Sequence, residues 1–317
     1  MEFNNYKAKG SINQKHLLTL RDYSKEDIYE IFALTKKLKE DYLSGKKCEL
    51  LKGKTLAMIF SKASTRTRFS FAMGMKQLGG DSMFLSTNDI QLGRDETIAD
   101  TAKIISRMGI DGIMIRTYDQ SDIADLAHSG DLPVINGLSD DYHPCQALAD
   151  IYTLYEKKNK IEGAKIAYFG DGNNVANSLM IISAKLGIEF VAVCPEGYKV
   201  AKEIVDYCKG IGGKVSCISS IDEGVKNADV LYTDVFFSMG QKVTEEKRNA
   251  LMPYQVNIEL YKKAKKDAIF MHCLPAHRGE EVSAEVMDGA MSVVFDEAEN
   301  RLHTQKAVLV LLLGDKK

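Results

Sequence analysis

Ser64, Thr65 and Thr67 alternate with Arg66 and Arg68 in the stretch SKASTRTRFSF (61–71), directly after the apolar run KTLAMIF and before a segment with helical spacing. Hydroxyls interleaved with guanidinium groups at such a junction suit an anion. If residues 65–68 open a helix, their backbone N–H groups converge on one spot and the helix dipole adds positive character there. Arg66 then supplies a planar, permanently charged fork that matches phosphate. An ordinary Ser/Thr N-cap with surface arginines accounts for part of this pattern, but not for two arginines among three hydroxyls. The chain has no G-x-x-x-x-G-K-[ST] run, so the expected anion is a small phosphate compound rather than a nucleoside triphosphate.

Four further clusters carry polar groups. GDGNNVANSL (170–179) follows an apolar run and opens a helical pattern, as a dinucleotide-binding fingerprint does, and Glu196 lies after the next apolar run. Yet Val175 stands where the third glycine should allow close helix–strand packing, and Asn173 and Asn174 place amides where a pyrophosphate needs bare backbone. A nicotinamide oxidoreductase is therefore the weaker alternative. DYHPCQ (141–146) and MHCLPAH (271–277) contain His143, His272, Cys273 and His277. A zinc site would use H-C-x-x-x-H, but four ligands at zinc spacing are not assembled, and no metal or cofactor is expected. Cys273 could serve as a covalent nucleophile, although no partner base stands at fixed spacing. TDVFFSMGQ (233–241) offers Asp234, either as a turn cap or as a carboxylate for an ammonium group, and Ser238 beside it.

These clusters need elements to position them. Strands are expected at 54–60, 81–86, 112–117 and 132–138, and in a second series at 165–171, 189–195, 214–220, 229–236 and 268–275. Helical spacing fills the gaps: RFSFAMGMKQLG, ETIADTAKIISRMG (with Asp95 and Glu96 at its positive end), and VANSLMIISAKLG, closed by Gly187. Alternation of this kind implies βαβ units and right-handed crossovers. The fold class is thus α/β, with two domains, each a mostly parallel sheet flanked by helices. Every polar cluster follows an apolar strand, where ligands of open α/β sheets bind, and together they describe an interdomain cleft. The boundary is expected near residue 150, inside the helical HPCQALADIYTLYEKKNKIEG. This gives domains 1–150 and 151–300, with a C-terminal helix at about 300–317 packing back on the first.

Bulk properties narrow the class. With 317 residues and 45% hydrophobic content the chain can bury two cores. A net charge of −2, with acids and bases interspersed, argues against a nucleic-acid or membrane partner. No apolar run approaches a membrane span of about 20 residues. The polar MEFNNYKAKG start lacks a signal-peptide core, and six scattered cysteines read as reduced thiols, so a cytoplasmic location is expected.

Taken jointly and in order, STRTR, IQLGRDETIADTA, HPCQALAD, GDGNN, DVFFSMG, HCLPAHRGEEV and FDEAENRLH resemble the carbamoyltransferase family over residues 61 to about 305. Within it, SMG and HCLP point to the ornithine-using branch, and the overall sequence pattern resembles the anabolic type. The resemblance implies that Ser64, Thr65, Arg66 and Thr67 hold the phosphate of carbamoyl phosphate. It implies that Arg116, His143, Gln146, the Cys273–Leu274 backbone and Arg301 meet the carbamoyl group, with Arg66, Arg116, His143 and Cys273 as the catalytic set. Gln91 would reach the phosphate site of an adjacent subunit in a homotrimer or multiple of trimers. The implied ornithine-binding residues are Asn174, Asp234, Ser238 and Met239. Phe236 stands where the family often has Trp, and Ala72 where an acid is frequent; these departures leave the assignment in place and binding strength open. Citrulline formation in arginine biosynthesis is the expected activity. Alternatives are transfer to putrescine or N-acetylornithine, or the catabolic direction.

Overall fold

The computed structural model describes residues 2–87, 96–237 and 244–315. The chain forms two compact units, one of Met1–Ala149 with Asn300–Lys317 and one of Asp150–Glu299. The division falls within two helices.

In the first unit the strands are β1 (Thr55–Phe60), β2 (Asp81–Ser86), β3 (Gly112–Arg116) and β4 (Val134–Leu138), all parallel, in the order β2-β1-β3-β4. The helices are α1 (Lys25–Leu43), α2 (Thr65–Gln77), α3 (Ile98–Arg107), α4 (Gln120–Ser129) and the start of α5 (Pro144–Lys158). Strands buried on both faces read as continuous apolar runs, as β1 and β3 do, whereas the edge strand β2 leaves Met83 and Phe84 exposed. Ile59, Ile113, Ile115 and Val134 pack with Ala102 of α3 and Ile123 and Leu126 of α4 in a core that excludes water.

The second unit holds β5 (Lys165–Phe169), β6 (Glu189–Val193), β7 (Val215–Ile218), β8 (Val230–Thr233) and β9 (Ile269–His272), again all parallel, in the order β7-β6-β5-β8-β9. Its helices are α6 (Asn174–Leu186), α7 (Lys202–Gly210), α8 (Ile221–Val225), α9 (Glu245–Leu251), α10 (Ile258–Tyr261), α11 (Ala284–Met287) and the first residues of α12 (Val294–Leu313). Phe169, Val193, Leu231 and Phe270 form the centre of its core.

All nine expected strands are present, but most end earlier than the apolar composition suggests. Gly170 turns with φ 122°, and the Val235 amide N–H donates to Asp234 rather than to a ladder. Helix α3 also starts later than expected: Thr97 caps it by accepting from the Asp100 N–H, Glu96 precedes the cap, and Asp95 lies outside the described residues. Gly187 closes α6 in the left-handed conformation, as its position predicts. The C-terminal helix begins at Val294, and its later turns lie against α2. A Cβ on Gly74 would sit 3.4 Å from Leu309 Cδ1, and Lys306 Nζ donates to Gln77 Oε1 at 3.0 Å.

Each sheet has one point where strand order reverses: between β1 and β3 in the first unit, and between β5 and β8 in the second. Crossovers leave such a point in opposite directions, opening a crevice at the carboxyl ends of the strands. The polar cluster STRTR follows β1 and Arg116 ends β3, and GDGNN and Asp234 follow β5 and β8.

Candidate active site

In the first unit, Ser64 is the N-cap of α2, with extended backbone (φ −160°, ψ 119°) and Oγ accepting from the Thr67 N–H at 3.2 Å. Thr65, Arg66 and Thr67 form the first helical turn, so the amides of Thr65 and Arg66 precede the first intrahelical bonds. Arg116 ends β3 at a register shift after Ile115, paired with Phe60 on one side and Leu138 on the other. Its carbonyl accepts the Ser61 N–H at 2.8 Å, which ties the STRTR loop to the end of β3.

His143 precedes α5, and its carbonyl accepts the first helical amides, those of Gln146 and Ala147. Pro144 in the first helical position loses nothing by lacking an N–H. Arg301 is 2% exposed, and its guanidinium joins α12 to two other elements. Nη1 donates to Gln146 Oε1 at 2.6 Å, and Nη2 donates to Thr67 Oγ1 at 3.3 Å. Burial and the surrounding charges of Arg301, Arg116 and Arg66 hold the His143 imidazole well below its ordinary range. It is therefore neutral at physiological pH, with fixed cations around it, an environment that favours an anion or a developing oxyanion.

In the second unit, Asn173 caps α6, its Oδ1 accepting from the Val175 and Ala176 N–H groups. Its Nδ2 donates to Asp234 Oδ2 at 2.7 Å, so one amide both starts the helix and orients a carboxylate across the switch point. Asp234 Oδ1 accepts from the Val235 N–H at 2.7 Å and from Cys273 Sγ at 2.9 Å. Burial and the Asp234 carboxylate push the Cys273 thiol well up, so it stays protonated and acts as a donor rather than a thiolate nucleophile. The Cys273 side chain is thus held against Asp234, beyond the end of β9. The Leu274–Pro275 bond is cis.

The Gly172 position answers the dinucleotide question. A Cβ there would lie 2.3 Å from the Val200 amide nitrogen, so the space a pyrophosphate would use is filled by this chain's own backbone. His272 offers no open ligand atom for a metal: Nδ1 accepts the Leu274 N–H at 2.8 Å and Nε2 faces Glu281 Oε1 at 3.3 Å.

Asn174 opens α6 beside its cap. Gln91, Ser238 and Met239 lie outside the described residues. Two residues were missed in the sequence. Asn173 reads in the sequence as an amide opposed to a pyrophosphate, and its role as helix cap and partner of Asp234 goes unread, although its place just before the helical pattern is an N-cap signal. Glu297 accepts the His272 N–H at 2.9 Å and, with Asp150, receives the Tyr232 hydroxyl. Burial and Asp150 push its carboxyl well up, which favours one proton shared by two acids behind β8 and β9. Nothing local in FDEAEN singles it out.

Family models match along most of the chain. The aspartate/ornithine carbamoyltransferase carbamoyl-P binding domain matches residues 15–156, and the Asp/Orn binding domain of the same family matches residues 162–312. An ornithine carbamoyltransferase of Pyrococcus abyssi is 53% identical over 312 residues, covering 97% of this chain and 98% of that protein. An anabolic ornithine carbamoyltransferase of Pyrococcus furiosus is 52% identical over 309 residues, covering 96% and 98%. The solved ornithine carbamoyltransferase from Pyrococcus furiosus superposes with a TM-score of 0.93 at 52% identity, covering 97% of this chain and 99% of that one.

Proposed function

This chain belongs to the aspartate/ornithine carbamoyltransferase family, and on that premise we propose that it transfers the carbamoyl group of carbamoyl phosphate to the δ-amine of L-ornithine, giving L-citrulline and phosphate. The anabolic role, as a step of arginine biosynthesis in the cytoplasm, is part of the same reading; the anabolic relative and the six free cysteines support it. Among the described residues no helix is long and apolar enough to cross a membrane. A homotrimer, or a multiple of trimers, is the expected assembly, with Gln91 reaching the phosphate site of a neighbouring subunit.

The observation that carries the reading is the burial of His143 at the start of α5, beyond the carboxyl end of the first sheet, with Arg301 bonded to Gln146 and Thr67 beside it and the charges of Arg116 and Arg66 acting on it. On this reading the first unit is the carbamoyl-phosphate half and the second the ornithine half. Ser64, Thr65, Arg66 and Thr67 hold the phosphate. Arg116, His143, Gln146 and Arg301, with the Cys273–Leu274 backbone, meet the carbamoyl group. Asn174, Asp234, Ser238 and Met239 hold the amino-acid end of ornithine.

Attack by the amine puts negative charge on the carbonyl oxygen. Donors from Arg116 and His143 stabilise that oxyanion by about 3–4 kcal/mol for each strong donor. Arg66 and the α2 N-terminus stabilise the departing phosphate. An unperturbed alkylamine titrates near pKa ~10, so productive ornithine must shed a proton, and a cationic, partly desolvated site lowers the cost of the neutral amine. The proton released after attack passes to the leaving phosphate, and turnover rises toward alkaline pH.

The test is formation of ureido product from carbamoyl phosphate with ornithine, putrescine, N-acetylornithine and aspartate offered in parallel. Product from ornithine alone is expected. Preference for another amine would overturn the ornithine half of the proposal, and no product with any amine would overturn both halves.

A further inference from the structure

The turn after β9 continues beyond Pro275 into a second polar cluster, which the transfer chemistry does not use. His277 Nδ1 lies 3.7 Å from Glu280 Oε2 and 3.8 Å from Glu281 Oε2. The ligand atoms of these three residues all fall within 4.8 Å of one another. The Glu281 side chain is fully buried, yet its two oxygens are treated differently. Oε1 accepts the His277 backbone N–H and faces His272 Nε2 at 3.3 Å. Oε2 is buried without a hydrogen-bond partner among the described residues, turned toward the His277 ring. A buried carboxylate oxygen that accepts no hydrogen bond is costly, and such an atom calls for a cation or a donor closer than the His277 ring.

Glu280 divides its oxygens in the same way. Oε1 lies 3.5 Å from Arg248 Nη1, leaving Oε2 for the His277 side. His277 and Glu280 line a surface depression together with Phe237, Arg248, Ala276 and Arg278, which gives solvent a path to the cluster.

We propose that His277 Nδ1, Glu280 Oε2 and Glu281 Oε2 bind one divalent transition-metal ion of the zinc type, with solvent completing its coordination. Nitrogen and oxygen ligands at zinc's usual bond lengths in a tetrahedron sit about 3.3–3.5 Å apart, so His277 Nδ1, at 3.7 and 3.8 Å from the two carboxylate oxygens, needs to close by only a few tenths of an ångström, and the two glutamates, whose oxygens lie within 4.8 Å, draw together by side-chain rotation as the ion binds. One imidazole with two carboxylates neutralises the ion's charge and favours a first-row transition metal over magnesium or calcium, which take all-oxygen sites. The partners behind the ligands are already in place: the His277 N–H and His272 hold Glu281, and Arg248 stands behind Glu280. His272 also accepts the Leu274 N–H at 2.8 Å. A bound ion therefore braces the turn that presents Cys273 and Leu274. The proposal does not depend on the amine the protein uses.

The test is titration of the metal-free protein with Co²⁺, followed by the visible d–d absorption of the bound ion. Wild type, His277→Ala and Cys273→Ser are compared, and Glu281→Gln is added if it folds. The expected result is one Co²⁺ per chain with d–d bands and no thiolate charge-transfer band. Binding should be weaker by about 100-fold or more in His277→Ala, since loss of even an outer-shell partner costs 10–100-fold. Cys273→Ser should bind as wild type does. Absence of d–d bands at saturating Co²⁺ would overturn the proposal and leave His277 as an ordinary ion-pair partner of the glutamates. A thiolate band lost in Cys273→Ser and kept in His277→Ala would overturn it too, because the ion would then sit at Cys273.

Discussion

Arg66 and Arg116 carry the largest share of the proposed chemistry, and neither belongs to an apolar core. Arg66→Ala and Arg116→Ala should each lower turnover by about 10²–10³-fold, the usual loss for one oxyanion-type donor. Circular dichroism and the unfolding midpoint should stay near wild type. Near-normal turnover in either folded variant would remove that residue from the site. Acid stability follows from the buried histidines. Burial and the charges of Lys306 and Lys39 lower His303 to about 3, and His143 is held down by burial and its three arginines. The native state therefore excludes protons that the unfolded chain takes up below about pH 6.5, so the unfolding free energy should fall as pH drops through that value. His303→Gln should make the decline shallower in urea titrations at stepped pH, and an unchanged slope would contradict the assignment. His143 was visible in the sequence as a candidate but not as a neutral group, because its arginines come from three separate segments.

At the scale of elements, the N-terminus of α2 serves both the fold and the anion. Ser64→Ala removes the cap acceptor and should cost about 1 kcal/mol in urea unfolding, whereas Ser64→Gly should cost only a few tenths. Both should raise the carbamoyl-phosphate requirement, since both lose the hydroxyl. If Ser64→Gly left that requirement unchanged, Ser64 would be a cap and nothing more. The alternation of strands and helices was legible because parallel strands are apolar throughout and helices keep their own period. Strand ends were less legible: Asp234, Val235 and Phe236 look like more strand until the Asp234 carboxylate is seen to take its neighbour's amide. Glu297 was illegible for a different reason. Its partner, the His272 N–H, is 25 residues away, and a buried acid on an amphipathic helix has no local signature.

At the scale of the molecule, the two switch points explain why polar clusters scattered along the sequence form one set at the carboxyl ends of each sheet. Strand order, which sequence alternation alone does not give, puts Asn173 against Asp234 and ties the loop after β1 to the end of β3. The metal cluster stayed hidden because zinc spacing was sought among His and Cys, while the fold recruits Glu280 and Glu281. If each unit handles one substrate, a change in the second should leave the first substrate's requirement alone. The steady-state dependence of Asp234→Ala on both substrates tests this most directly. The ornithine KM should rise by about 10–100-fold, as expected for a lost buried charge partner, while the carbamoyl-phosphate KM stays near wild type. A rise confined to carbamoyl phosphate would contradict the assignment of Asp234 and of the unit that carries it.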